Sequence, residues 1–212
     1  METVVFIFCS ITPEQYEPEV NKIRVEEYNR SLQQLRRLCP YDMHVFDNTE
    51  FSKGHDIIKH IPENIGTVNK GLGELSMLKY ACDNGFTKGY KKVCYVTGRH
   101  LWICPYFFHR VKYMQTGILV GNPDFMYING VYHEVEKKEM YNDMAFCMYR
   151  ELMEGYANYI DFSDQKIGSE QWLYRYVHSK PHTYELIEHL GLIRNDWQKT
   201  GNYIDLANYH GV

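Results

Sequence analysis

The sequence predicts an α/β domain, a mainly parallel mixed central sheet flanked by helices, and three observations predict it. Two runs, Thr3–Cys9 (TVVFIFC) and Lys92–Thr97 (KVCYVT), are short, apolar and rich in β-branched and aromatic residues, as expected of strands buried on both faces of a sheet. Between them lie a helical periodicity, a second short strand and another helical stretch. This βαβαβ order calls for parallel pairing through right-handed crossovers. At 212 residues, 44% apolar and 24% charged, the chain can bury one sizeable core but hardly two.

The elements follow in order. The opening METVVFIFCS has no basic leader and only six consecutive apolar residues, Val4 to Cys9, so it reads as a strand and not as a signal or a membrane span. Thr12-Pro13-Glu14-Gln15 has a capping-box pattern with proline at the first helical position, which predicts a helix starting there. In that helix Val25, Tyr28, Leu32 and Leu35 share an inner face, Arg24, Arg30 and Arg36 face solvent, and Cys39-Pro40 marks the end.

Residues 43–46 form the second strand, ending at Asp47-Asn48, a pair suited to a turn or to a ligand. The stretch 51–69, with Gly54, Pro62 and Gly66, reads as a long connection holding one short helix. A helix over 71–82 puts Leu75, Leu78 and Cys82 on one face and stops at Asn84-Gly85. Strands are expected at 117–120, Phe125–Ile128 and 131–135, the last two joined by the hairpin signal Asn129-Gly130, so the sheet should be mixed. Helices are expected over 142–154 and 169–178. The segment 181–212 has no strong pattern, and no internal repeat or low-complexity linker divides the chain.

Charge and cysteine usage narrow the function. The net charge is -4 and the basic residues are scattered apart from Arg36-Arg37, Lys91-Lys92 and Lys137-Lys138, which argues against a nucleic-acid partner. The six cysteines contain no C-x-x-C pair, and Cys9 and Cys94 sit in apolar runs. They read as reduced thiols in a cytoplasmic protein and as no zinc site.

Ligands of open α/β sheets bind at the carboxyl ends of the strands. Three segments bring polar residues or glycine to that edge: Cys9-Ser10-Ile11-Thr12, Asp47-Asn48 and Thr97-Gly98-Arg99-His100. Neither GxGxxG after the first strand nor GxxxxGK[ST] is present, which removes the standard dinucleotide and P-loop readings.

The stretches VVFIFCS, HVFDN, NKGLGE (69–74), KVCYVTGRHLW (92–102) and GSEQWLYRYV (168–177), in this order, resemble GT-A-type glycosyltransferases of the small bacterial and viral kind. The resemblance implies one domain over 1–212, with a nucleotide-binding half at 1–100, an acceptor half at 101–180, and 181–212 packed on as a tail. It implies a nucleotide-sugar donor and a glycan acceptor, and a cytoplasmic protein, in the host cytoplasm if viral. Cys9, Ser10 and Thr12 would line the nucleotide and Asp47 would contact its base or ribose. The alternatives are a turn cap for Asp47 and helix-start duty for Ser10 and Thr12.

The chain departs from that family's pattern in lacking Asp-x-Asp, whose carboxylates would hold a divalent cation on the donor diphosphate. Thr97-Gly98-Arg99 stands there, similar to a TGR variant. Arg99 then stabilises the leaving diphosphate, since guanidinium stays charged and offers paired donors, and manganese or magnesium becomes the disfavoured alternative. Lys70, in Asn69-Lys70-Gly71 at a helix start, and His100 are further cations. An ion pair for Arg99 and a solvated surface for Lys70 are the alternatives.

For the base that an inverting transfer needs, the resemblance points to Glu170, with Asp143, Glu74 and the pair His55-Asp56 ranked below it. Glu170 can instead serve only the helix dipole. Tyrosine is unusually frequent at 19, and Trp102, Tyr106, Trp172 and Trp197 are the candidate acceptor platforms. Two competing readings stand beside this one. A sugar-phosphate nucleotidyltransferase would want glycines after the first strand, which Cys9 to Gln15 lacks, and a non-catalytic nucleotide- or carbohydrate-binding module is compatible with the missing Asp-x-Asp.

Overall fold

The computed structural model describes residues 2–14, 16–61, 69–122, 125–128, 131–134, 140–188 and 190–193. In chain order the elements are β1 (Thr3–Cys9), α1 (Pro18–Leu38), β2 (Asp42–Asp47), a 3₁₀ turn (Glu50–Ser52), β3 (Ile58–His60), α2 (Lys70–Asp83), β4 (Lys92–Thr97), β5 (Leu101–Trp102) and α3 (Tyr106–Tyr113). After these come β6 (Ile118–Gly121), β7 (Phe125–Ile128), β8 (Val131–Glu134), β9 (Asn142–Tyr149), α4 (Arg150–Tyr159), α5 (Ser169–Ser179), β10 (Tyr184–Ile187) and β11 (Leu192–Ile193).

The main sheet has seven strands in the order β10-β6-β9-β4-β1-β2-β3. As the two apolar runs predict, β1 is buried along its length and lies between β2 and β4, parallel to both, from Val4↔Asp42 to Cys9↔Asp47 on one side and from Thr3↔Lys92 to Phe8↔Thr97 on the other. Because side chains alternate across a strand, β1 feeds two cores. Val4, Phe6 and Phe8 join Leu75 and Leu78 of α2, Tyr156 of α4 and Leu173 of α5, while Val5, Ile7 and Cys9 join Tyr28, Leu32 and Leu35 of α1 and Phe107 and Phe108 of α3. The result is a three-layer α/β domain, with α2, α4 and α5 on one face of the sheet and α1 and α3 on the other.

Four expectations are corrected. The first helix begins at Pro18, with Glu17 as its cap, and Tyr16 N–H donates to Pro13 O at 3.2 Å before it. The capping-box pattern fails because the Thr12 hydroxyl is engaged elsewhere, on Thr49 Oγ1 at 3.3 Å. Arg24 does not face solvent. It is 2% exposed, its guanidinium donates to the Ile11 carbonyl at 3.2 Å and to the Ser10 carbonyl, and it packs over the Tyr16 and Tyr28 rings at 5.1 and 5.6 Å.

Residues 142–154 are not one helix. The first eight form β9, antiparallel to both β4 and β6, and only then does α4 begin. Met, Ala and Cys carry little strand signal, but Met144 to Met148 are buried between two neighbours, and that tertiary pairing overrides local propensity. Finally, the connection over 51–69 holds the short strand β3 besides its 3₁₀ turn, and the segment without pattern contributes β10, parallel to β6, and β11, which pairs with β5.

The hairpin strands β7 and β8 pair antiparallel as expected, Ile128↔Val131, but as a separate two-stranded sheet. Asn129, Gly130 and Val135 lie outside the described residues. Among the described residues no helix is long and apolar enough to cross a membrane.

The buried Arg24 gives a test that the surface reading of this residue would fail. Arg24→Ala strands the Ser10 and Ile11 carbonyls and should lower stability by about 2–4 kcal/mol in urea unfolding, whereas an exposed arginine would give a change within about 0.5 kcal/mol.

A candidate site at the carboxyl edge of the sheet

Six of the seven strands of the main sheet point their carboxyl ends at one edge, and β9 runs against them, so that it begins where they end. The β4–β9 register closes at Val96↔Ala145, and two residues further on Asp143 comes level with Gly98. Thr97, 7% exposed, donates its hydroxyl to the Met144 carbonyl at 3.2 Å. Gly98 N–H donates to Phe8 O at 2.8 Å, and a Cβ there would stand 2.4 Å from Cys9 Sγ, so only glycine lets the chain cross this closely over the end of β1. Arg99 follows, 9% exposed. Its charge is felt by Lys70 and by the Tyr28 hydroxyl, both of whose pKa values it pulls down.

A second strand of contacts ties two helix starts to this spot. Asn69 caps α2 by accepting from Leu72 N–H at 3.2 Å, and its amide donates to the Gln165 and Ile167 carbonyls just before α5 at 2.9 and 3.3 Å. A Cβ on Gly71 would lie 2.7 Å from Ser169 Oγ, so the absent side chain lets the first turns of α2 and α5 touch. Ser169 donates its hydroxyl to Asp143 Oδ2, and Glu170 Oε2 lies 3.4 Å from the Ser169 Oγ.

Burial, then the neighbouring Glu170 and Glu74 carboxylates, push the Asp143 carboxyl up to about 8, against the opposing pull of Ser169 and Lys70. Glu74 accepts from the Tyr95 hydroxyl at 3.0 Å and stands 3.8 Å from Lys70 Nζ. For Lys70 the Glu74 carboxylate favours the charged form, but desolvation and the repulsion of Arg99 and Arg24 outweigh it and the net shift is downward. With 56% of its side chain in solvent, Lys70 feels these charges through screening water. The edge therefore joins two cations, Arg99 and Lys70, to an acid cluster of Asp143, Glu170 and Glu74 beside two helix starts, which favour anions.

The loop after β1 is held from both sides. Asp47 is fully buried, and its carboxylate accepts from Ile11 N–H at 2.9 Å, Thr49 N–H at 3.1 Å and the Thr49 hydroxyl at 2.7 Å. This is the turn-capping alternative, extended to the neighbouring loop. It corrects the expectation that Asp47 reads a base or ribose, because its oxygens are spent inside the fold. Cys9 is likewise fully buried and its thiol pKa is raised by burial, so only its backbone can line a ligand. Ser10 and Thr12 remain half-buried at the loop, with Ser10 N–H donating to the Tyr28 hydroxyl at 3.0 Å and Thr12 N–H to Thr49 Oγ1 at 3.2 Å.

The expected acceptor platforms change most. Trp102, 1% exposed, stacks on Phe108 at 5.0 Å, and Trp172, 6% exposed, packs in the opposite core, so neither indole has a face for a sugar. Tyr106 is half-buried and its hydroxyl accepts from Arg110 at 3.2 Å, while Trp197 lies outside the described residues. His55 closes a turn by accepting from Ile57 and Ile58 N–H at 3.2 and 3.3 Å, and the His100 carbonyl accepts from Ser31 at 2.6 Å. Asp143, ranked below Glu170 from sequence, is the centre of the acid cluster. The helical reading of 142–154 concealed it, because only a strand start at Asn142 puts this residue on the edge.

By sequence the chain matches no protein-family model and no curated protein. By fold it is similar to a structure described as a nucleotide-diphospho-sugar transferase from Desulfovibrio desulfuricans, with a TM-score of 0.54 and 10% identity over 89% of this chain and 80% of that one. It is similar also to the bifunctional IspDF of Campylobacter jejuni, at 0.54 and 11% over 89% of this chain and half of the other, and to a structure described as a glucose-1-phosphate thymidylyltransferase from Bacillus anthracis, at 0.52 and 11% over 88% and 87%. At these identities the likeness establishes the fold.

Two measurements check this geometry. Asp47→Ala should cost about 2–4 kcal/mol of stability in urea unfolding, because it strands buried donors, so a loss confined to ligand binding would contradict the arrangement. Asp143 has a folded pKa near 8 against an ordinary value of 3.8. Between those values the folded state keeps a proton that the unfolded chain releases, so this group makes stability fall as pH rises from about 4 to about 8. Asp143→Asn should flatten that part of the stability–pH curve and stabilise the protein at pH 7 to 8.

Proposed function

We propose that the chain is a glycosyltransferase that moves a sugar from a nucleotide-sugar donor to an acceptor hydroxyl at this edge. The observation that carries the proposal is Asp143, a buried carboxyl pushed up to about 8, beside the end of β4 that carries Arg99 and against the helix starts that carry Lys70 and Ser169. Arg99 and Lys70, with the N–H groups of those helices, would hold the donor diphosphate and stabilise the charge it gains as the sugar bond breaks. Asp143, once ionised, would take the proton of the acceptor hydroxyl as its oxygen attacks the anomeric carbon, with Glu170 beside it.

The same fold is compatible with nucleotidyl transfer onto a sugar phosphate, the chemistry named for the Bacillus anthracis structure. There the nucleophile is a phosphate oxygen, ionised already at neutral pH, and no base is required. A carboxyl raised toward neutrality by burial and by two neighbouring acids favours a hydroxyl nucleophile instead. We propose Arg99 as the group at the diphosphate.

Hydrolysis and transfer assays over common nucleotide sugars test the reading. With an active donor, Arg99→Ala should lose about 10²-fold in rate, Arg99→Lys should recover part of it, and chelators should leave transfer intact. The rate should rise with pH through about 8 as the base ionises, and Asp143→Asn should remove that limb together with about 10²-fold or more of activity. Activity that vanishes with EDTA and returns with manganese would overturn the role of Arg99, and formation of a sugar nucleotide from a sugar phosphate would favour the second reading.

A further inference from the structure

We propose that the side of α5 running on from Glu170, together with Tyr184 and backed by the buried Tyr141, is a stacking track for a saccharide acceptor. Its assignment to the acceptor rests on the reading above. Glu170, Tyr174 and His178 recur at every fourth residue of α5 and therefore share one side of the helix over roughly 12 Å. Tyr141, two residues before Asp143, lies along that side: its N–H donates to the Glu170 carbonyl at 3.3 Å, and its hydroxyl meets His178 Nε2 at 2.9 Å. The track thus begins at the acid cluster and is continuous with it.

The rings form two layers. Tyr141 is the inner one, 5% exposed, with its centroid 5.4 Å from Tyr174, 5.9 Å from His178 and 6.1 Å from Tyr184. Tyr174, His178 and Tyr184 form the outer layer, His178 lying 4.3 Å from Tyr174 and 5.6 Å from Tyr184, and both His178 and Tyr184 are exposed. An exposed aromatic cluster of this kind marks a binding surface. Its chemistry is that of a saccharide partner: flat rings for the C–H faces of a pyranose, rimmed by tyrosine hydroxyls and an imidazole for its hydroxyls. The surface also answers the loss of Trp102 and Trp172 as platforms, since a sugar on these rings would extend toward the carboxylates that must meet its hydroxyl.

Saturation-transfer NMR on the full chain tests the proposal, with the methyl glycosides of glucose, galactose, mannose, N-acetylglucosamine and rhamnose as probes and UDP, GDP, CDP and TDP in a parallel arm. At least one glycoside should receive saturation. Tyr184→Ala and His178→Ala should each reduce that signal at least fivefold, Tyr184→Phe should keep most of it, and nucleoside diphosphate binding should be unchanged in all three. Both residues are exposed, and near-ultraviolet circular dichroism confirms that the variants fold. No signal from any glycoside overturns the track, as does a signal indifferent to the alanine variants or lost equally in Tyr184→Phe. Self-association of the wild type that Tyr184→Ala abolishes in sedimentation also overturns it, by assigning the face to a second copy. Glycoside binding that depends on these rings, with no nucleoside diphosphate bound, supports the track and refutes the transferase reading instead.

Discussion

The direction of β9 is the constraint from which the rest of the site follows. Every other strand of the main sheet runs one way, and β9 alone enters from the edge where the others leave. A parallel strand in that position would carry its first residues to the far side of the domain. Reversed, it sets Asp143 next to the end of β4, where Gly98 has already brought the backbone down over β1. The Ser169 hydroxyl then fixes α5 to that carboxyl, and Asn69 and Gly71 fix α2 to α5. Residues 69–74, 97–99, 143 and 169–170 are distant in sequence, and a single strand reversal makes them neighbours.

The loop after β1 shows how such an edge is kept rigid without large side chains. Ile11 is held at both polar atoms, its N–H by the Asp47 carboxylate and its carbonyl by the Arg24 guanidinium. Each anchor is itself buried, Asp47 among Thr49 and Ser52 and Arg24 among the rings of Tyr16 and Tyr28. Buried charges are costly unless their hydrogen-bonding capacity is used, so these two leave the backbone of residues 10–12 little freedom. Preorganised backbone is what a strand-end ligand site requires.

Much of this was legible in the sequence, for reasons that individual residues make plain. β1 and β4 carry Val, Ile, Phe and Tyr in continuous runs, and burial on both faces is the only setting that uses them, so their bounds and parallel neighbours followed directly. Arg99 at a strand end and Lys70 at a helix start were expected near one edge, and the family resemblance pointed to Glu170. What was not legible depends on tertiary pairing. Met144-Ala145-Phe146-Cys147-Met148 has no strand signature apart from its neighbours β4 and β6. Arg24 stands at a position whose helical spacing allows solvent, and only the Ser10 and Ile11 carbonyls draw it inward. Trp102 and Trp172 look like exposed platforms in a sequence but are the largest fillers available for two cores.

The sheet ends in short strands. β3 has three residues and β10 four, and each carries a charged side chain at its middle, Lys59 in one and Glu185 in the other. A margin this brief offers an incoming strand only a couple of backbone partners, and the charge must be desolvated or displaced to use them. The long strands with continuous apolar stretches that would template strand-by-strand growth, β1, β4 and β9, are all enclosed by neighbours. Growth of the sheet beyond seven strands is thereby discouraged at both margins, and the protein's most aggregation-prone sequences are exposed only while it is unfolded.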